Sequence, residues 1–471
     1  MTLAALLKDL DGLTVETDPI TRRRKSRDYF WFSPLLKQRL DRVMADVVVT
    51  PASETEVVRV LAACHRHQVP VTPRGAGTGN YGQAMPLSGG VVLDLKRLTG
   101  VQALAGARVV AGSGAVIGDL DRQLKASQQR ALRFVPSTAQ VATIGGFVAG
   151  GSGGVGSVRW GGLRARGNVL RVRLVTCEAQ PRVIDLMGDD VLKAVHAYGT
   201  TGVVTEIELP TVESYDWVEV LVASDHWDDA ARLAQDLAES DGVLLNELAA
   251  LAAPLPHDIL GPYIASFRRE QSALLLLVAP FAMDAVVTMV RQARCTIVFR
   301  SDRNSVASDD QLPSVTELGW NHTTLRALRV DRQITYLQTR YPDLQAAQRV
   351  RARLGDELPM HIEWMRSSGT PSLGGLPLVR FTTEERLNEI MRIHEEEGCG
   401  VFNPHVYTLE EGGWRRLDPA LLAFKRQADP LGLLNPGKMV AWDRPDFDFG
   451  AGKDYVFPGL RESDSAVLAE D

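Results

Sequence analysis

Three groups of residues in this 471-residue chain have the types and spacing to do chemistry. The first is PRGAGTGNYGQ at 73–83, where glycines 77, 79 and 82 satisfy G-x-G-x-x-G and Arg74 precedes them. The second is PSTAQVATIGGFVAGGSGGVGSVRWGG at 136–162. Backbone without side chains can bring several N–H groups to one anion, and an arginine beside it can neutralise phosphate. The third group lies in the second half: WNHTTLRALRVDRQITYLQ at 320–338, MHIEWMRSSG at 360–369 and FNPHVYTLEEGG at 402–413. These segments offer His322, His361, Arg366 and His405, which are candidates for a base and for a cation facing a carboxylate.

The elements around the first glycine segment decide what kind of cradle it is. DVVVT reads as a strand, Ser53 and Glu56 as a capping box, and Val57, Val60, Leu61 and Cys64 as one face of a helix; VPVTP is a second strand. A Rossmann loop must open a helix, whose N-terminus holds the pyrophosphate. Here QAMPLSGG and the strand VVLDL follow, and Pro86, Gly89 and Gly90 forbid that helix. No G-x-x-x-x-G-K-[ST] occurs either. A loop between two strands, acting as an anion nest, is the remaining functional reading.

Before the second glycine segment, VVAGSGAVIGDLDRQLKA gives a strand, a turn and a helix with Ile117, Leu120 and Leu124 on one face. After it, VLRVRLVT and GTTGVVTEIELP give two more strands. Glycine is costly in regular structure, about 0.5–1 kcal/mol against alanine, so something must approach the backbone closely at 145–162. Two such segments, each following an α/β unit, suit a bulky ligand between two subdomains.

At these residues the chain resembles the FAD-linked oxidases of the vanillyl-alcohol oxidase and p-cresol methylhydroxylase (PCMH) type, especially the glycolate oxidase FAD-subunit and D-lactate dehydrogenase branch. VTPRGAGTG, GGVVLDLKRLTGV, VPSTAQVATIGGFVAGGSGG, GTTGVVTEIEL and DPLGLLNPGKM carry the resemblance. It implies an α+β protein: a two-subdomain PCMH-type FAD-binding domain over 1–212 (core 46–212), an α+β substrate or cap domain over 213–415, and a C-terminal return to the FAD domain over 416–471. It further implies that Pro73, Arg74, Gly75, Ala76, Gly77, Thr78 and Gly79 hold the pyrophosphate, that Pro136, Ser137, Thr143, Gly145, Gly146 and Gly150 form the second flavin-contacting segment, that Val204 lays backbone on the flavin, and that Asn435 and Lys438 form the C-terminal flavin-side motif. Thr78 stands where many relatives carry a flavin-linked histidine, so noncovalent FAD is expected.

The expected function is oxidation of a CH–OH substrate by hydride transfer to flavin, with 2-hydroxy acids favoured. His405 is the preferred base: with Tyr407 it would share one side of a strand before the C-terminal motif. His361 and Glu363 would likewise share a face, with Arg366 near the strand end. The histidine-rich metal motifs of the 2-hydroxy-acid relatives are missing; no metal is expected, and alcohols, sugar acids and aromatic substrates compete. An NADPH-dependent flavin reductase and a flavin-binding subunit of a larger oxidase complex are the rival classes.

Composition limits partners. A net charge of −6 argues against general nucleic-acid affinity, and the basic run RRRKSR at 22–27 reads as a surface segment packed near an active-site mouth. Cys64, Cys177, Cys295 and Cys399 make no C-x-x-C and are expected to be inert thiols. No secretory h-region or apolar membrane-length stretch is read, so a cytoplasmic enzyme is expected, with a small-molecule substrate, an electron acceptor left open, and a homo-oligomer or oxidase-complex subunit as compatible assemblies.

Overall fold

A computed structural model describes residues 3–104, 107–303, 313–444, 446–448, 455–457 and 459–460. Three sheets carry the architecture. The first is four-stranded. Its strands Val47–Val49 and Val71–Arg74 lie parallel to, and on either side of, Val91–Asp94, and Val15–Glu16 adds antiparallel at one edge. The helix Glu54–His67 crosses between the first two parallel strands, as a parallel pair requires. Its start is capped as its sequence predicts: Glu56 N donates to Ser53 Oγ at 3.2 Å, and the Glu56 carboxylate reaches back to Ala52 N at 2.7 Å.

The second sheet is antiparallel, with Val203–Glu213 between Arg108–Gly112 and Arg171–Val175. The helix Ile117–Gln128 packs Ile117, Leu120 and Leu124 into its core. A third sheet of eight strands begins with Val218–Ser224 and ends with Gly400–Phe402. One face buries Leu248, Ala250, Ile362 and Trp364 under helices that include Trp227–Glu239 and Leu344–Leu354. Its other face turns Ala249, Leu251 and Leu275 toward Tyr81, Trp414 and the helix Trp320–Val330.

The chain end closes the structure. Val71 N donates to Leu433 O and Asn435 N to Val71 O, both at 2.8 Å, so residues 433–435 extend the first sheet as a further short parallel partner. The basic segment 22–27 lies against the first sheet: Arg22 Nε donates to Ala45 O at 2.9 Å, and Lys25 pairs with Asp94. Two residues past it, Tyr29 N donates to Gly79 O at 2.7 Å, at the glycine loop itself. All four cysteines are free and buried. No helix among the described residues is long and apolar enough to cross a membrane.

Candidate active site

The glycine loop leaves its strand after Arg74 and runs to Gly90 without forming a helix. It leans on the second glycine segment, whose short helix Ile144–Gly150 is capped by Thr143. Contact there is close enough to exclude side chains: a Cβ on Gly75 would stand 2.0 Å from Thr143 Oγ1, and one on Gly145 2.5 Å from Ser113 Cβ.

Between the two segments and Val203–Glu213 lies a cleft of about 1260 Å³. Pro73, Arg74, Gly75, Ala76, Gly77, Thr78, Gly79, Pro136, Thr143, Gly145, Gly146, Gly150 and Val204 all line it. Ser137, Asn435 and Lys438 do not. The last two instead hold the loop from behind: Asn435 Nδ2 donates to Gln83 O and Tyr198 O at 2.8 Å each, and Lys438 Nζ donates to Gly82 O at 2.6 Å. Lys438 and Asp28 are both buried. Burial draws the ammonium down to about 7 and pushes the Asp28 carboxyl up to about 6, while each charge partly restores the other.

Arg74 does not simply point outward as a phosphate clamp. Its Nη1 donates to Arg27 O at 2.5 Å and Nη2 to Ala76 O at 3.2 Å, so the guanidinium ties the loop to the N-terminal segment, while Nε is buried without a partner. Ser113 Oγ, Tyr198 OH and Asn321 Oδ1, all on cleft-lining residues, are likewise buried and unpartnered. Such orphans are rare in native proteins, and each needs a partner. A cleft walled by glycine backbone and holding unsatisfied donors and acceptors fits a dinucleotide.

The cleft continues into a second cavity of about 710 Å³ through the shared residues Ser152, Trp320, Gln338 and Leu376. Arg164, Arg340 and Glu363 line this cavity. Arg164 gives Nη1 to Val456 O at 2.7 Å and Nη2 to Ser367 Oγ at 2.9 Å, both neutral acceptors. Burial and the neighbouring Arg340 charge hold it below its ordinary value.

None of the four side chains expected to act chemically lines either cavity, and His405 requires the plainest correction. It sits in a turn rather than on a strand and is 1% exposed. Its Nε2 meets Tyr336 O at 3.0 Å and its Nδ1 meets Ser33 Oγ at 2.8 Å. A carbonyl can only accept, so Nε2 carries the proton and Nδ1 accepts from the serine hydroxyl. Both nitrogens are committed, and burial pushes the ring down to about 4. Arg366 turns back on its own hairpin, donating to Gly369 O at 2.7 Å. His322 lies in the first turn of the helix Trp320–Val330, with burial lowering its basicity. His361 is fully buried behind Glu363, with Nε2 2.8 Å from Glu363 Oε1.

Sequence reasoning missed Tyr81, which stacks on Trp414 at 4.3 Å and accepts a hydrogen bond from Gln338. Trp320 was missed as well. It lines both cavities with its backbone at φ +50°, a left-handed conformation that a bulky residue adopts only when its surroundings hold it there. One signal was available: Glu247 is the one charged residue in the largely apolar run LLNELAAL, and a charge buried in such a strand is seldom idle. No group of three or more side chains suited to a metal ion occurs among the described residues.

The fold and the cradle define a PCMH-type FAD-binding fold with FAD as its cofactor, and the chain is similar to FAD-linked oxidases. Residues 45–184 match the FAD binding domain family. Among curated proteins, the chain is 28% identical over 208 residues to the glycolate oxidase subunit GlcD of Bacillus subtilis (strain 168), covering 41% of this chain and 43% of that one. It is 32% identical over 171 residues to a D-lactate dehydrogenase of Archaeoglobus fulgidus, covering 34% and 37%. These matches span about two-fifths of each relative's length. Among solved structures, an alkyldihydroxyacetonephosphate synthase superposes over 93% of this chain and 85% of its own, with a TM-score of 0.69 at 17% identity, which is a likeness of fold.

Proposed function

We propose that the protein is an FAD-dependent oxidoreductase that oxidises the CH–OH group of an anionic small molecule, a 2-hydroxy acid before an uncharged alcohol. The observation that carries this reading is the second cavity, which opens from the cradle and is lined by Arg164 and Arg340. Two neighbouring guanidiniums repel one another in a partly desolvated space, and an entering carboxylate relieves that repulsion while accepting paired N–H donors. The curated relatives, named as a glycolate oxidase subunit and a D-lactate dehydrogenase, point the same way.

Bound FAD supplies a two-electron acceptor for hydride from the substrate carbon. The chain's own residues do the rest. Glycine backbone at 73–79 and 145–150, with Ser113 Oγ and Arg74 Nε, receives the dinucleotide. Val204 of the second sheet and Tyr198 in the turn before it bound the cleft, and Arg164 and Arg340 orient the carboxylate. FAD is held without a covalent bond, since Thr78 lines the cleft and no histidine or cysteine does so among the described residues.

The test begins with the absorption spectrum and acid precipitation of purified protein, followed by anaerobic addition of glycolate, D- and L-lactate, larger 2-hydroxy acids and uncharged alcohols. Flavin colour released to the supernatant, and bleached in intact protein by hydroxy acids alone, is the expected result. Bleaching by uncharged alcohols at equal concentration would overturn the anionic assignment. The relatives named as glycolate oxidase subunits favour one further reading, in which this chain passes its electrons to a partner subunit. Rapid reduction by substrate with slow reoxidation by dissolved oxygen would support it.

A further inference from the structure

Two carboxyl groups outside the flavin cradle face each other on adjacent strands of the eight-stranded sheet. Leu245–Leu251 pairs antiparallel with His361–Ser367, with Ala249 opposite Glu363 and Leu251 opposite His361. Glu247 is two residues from Ala249, so alternation places Glu247, Glu363 and His361 on the same sheet face, toward the cavities. Glu247 is 2% and Glu363 1% exposed. Glu247 Oε1 and Glu363 Oε1 both lie 2.9 Å from the point where a Cβ on Gly319 would stand. Glu247 Oε1 is buried with no hydrogen-bond partner, and burial together with the neighbouring Glu363 charge raises the Glu247 carboxyl well above the usual carboxylate range. Two bare carboxylates buried this close to one another are strongly disfavoured, so at least one proton sits on the pair.

The other contacts aim Glu363. Its Oε1 accepts from Trp320 N at 2.6 Å and faces His361 Nε2 at 2.8 Å. Burial pushes His361 down to about 3, so its ring is neutral, and towards an ionised Glu363 its Nε2–H is the donor. Trp320 Nε1 leans on Glu247 Oε2 at 3.4 Å. Two N–H donors therefore favour negative charge on Glu363, and a cavity wall gives this carboxyl access to a ligand. Glu247 lines neither cavity.

Resting on the oxidation of a CH–OH substrate proposed above, we propose that Glu363 accepts the substrate hydroxyl proton and that Glu247 is a positioning residue, sharing the proton that the pair holds. The substrate O–H bond breaks with its proton passing to the Glu363 carboxylate. The carbon–hydrogen bond breaks with its electron pair passing as hydride to the flavin, and the C=O bond forms. The substrate loses two electrons, the flavin gains them, and the pair is left doubly protonated until it releases a proton to solvent. Arg164 and Arg340 across the same cavity hold the carboxylate end, leaving the hydroxyl end for Glu363.

The groups that face Glu363 set its pH behaviour: Glu247 on the neighbouring strand, neutral His361 on its own strand, the Trp320 N–H at the helix start, and Arg164 and Arg340 across the cavity. Burial is the largest influence on both carboxyls and raises both, Glu363 to about 8. The accepting carboxylate therefore appears as pH rises toward that value, and substrate-driven reduction rises with it.

The test uses FAD-loaded Glu363→Gln and Glu247→Gln proteins. Glutamine keeps an oxygen for Trp320 N, so fold and flavin occupancy should persist. The infrared carboxylic-acid C=O band of the parental protein at pH 7, identified by its shift in D2O, should weaken in both variants. Anaerobic flavin reduction by the best hydroxy acid should fall at least about a hundredfold in Glu363→Gln, the scale of a lost general base. It should fall less in Glu247→Gln, with its alkaline-rising limb displaced. A parental reduction rate in Glu363→Gln would remove the acceptor role alone, and absence of the acid band from parental protein would remove the shared proton. If no hydroxy acid or alcohol bleaches the parental flavin, the oxidation reading fails and takes the acceptor role with it, while the infrared band still decides the proton.

Discussion

A methyl group on Gly75 would stand 2.0 Å from Thr143 Oγ1, so the two glycine segments of the cradle are locked at a point where only hydrogen fits. The clash is with a residue that caps the next helix and cannot swing aside without losing that cap. Gly75→Ala should therefore fold but part the two segments. Overpacking costs about 1–3 kcal/mol, or roughly a ten- to hundredfold loss of affinity if it falls on the ligand-binding geometry. The flavin-to-protein absorbance ratio and an FAD reconstitution titration measure it. An unchanged dissociation constant would show that the loops do not clasp the dinucleotide there.

Lys438 and Asp28 bury opposite charges behind the loop, and removing one partner of such a pair is worse than removing both. Lys438→Met should cost about 3 kcal/mol in urea unfolding, because Asp28 is left without its compensating charge and Gly82 O without its donor. Adding Asp28→Asn should recover part of that loss. Equal, additive costs in the double-mutant cycle would mean that the two charges do not interact.

The parts of this protein legible in its sequence are those specified by local rules. The capping box Ser53/Glu56, the strand before Arg74 and the exclusion of a helix after Gly82 each depend on neighbours within a few residues, and each is seen. The cradle was legible for the same reason, since glycine backbone needs no distant partner to be recognised. The reacting side chains were not. Whether a histidine can take a proton depends on what occupies its two nitrogens, and His405 finds Ser33 and Tyr336, 372 and 69 residues away. Glu363 could be placed on a face with His361, but its meeting with Glu247 depends on two strands pairing across more than a hundred residues.

With both ring nitrogens bonded, His405 supports the fold rather than the chemistry. His405→Gln should reduce flavin with substrate at close to the parental rate and unfold more easily. Its folded value, about 4, lies below the ordinary 6.5. The neutral ring's contribution is therefore fully present above about 6.5 and is lost as pH falls toward 4. Melting temperatures between pH 7 and 4.5 should fall more steeply for parental protein than for the variant. A large loss of flavin reduction in folded, FAD-loaded His405→Gln would return this residue to the chemistry.

Glu410 gives the opposite sign. Its Oε1 accepts from Ala441 N at 2.8 Å, its Oε2 is buried without a partner, and burial pushes the carboxyl up from 4.5 to about 7. A raised folded value means that the protonated form is favoured by folding: that stability is present below about 4.5 and is lost as pH rises through 7. At pH 8 the native state holds a desolvated negative charge, with Glu411 adding repulsion. Glu410→Gln keeps an acceptor for Ala441 N and removes the charge, so it should raise stability at pH 8 by about 1–2 kcal/mol and change little at pH 5. Urea unfolding of both proteins at the two pH values measures the difference. A variant less stable than the parent at pH 8 would show that the ionised carboxylate is held by contacts stronger than its desolvation.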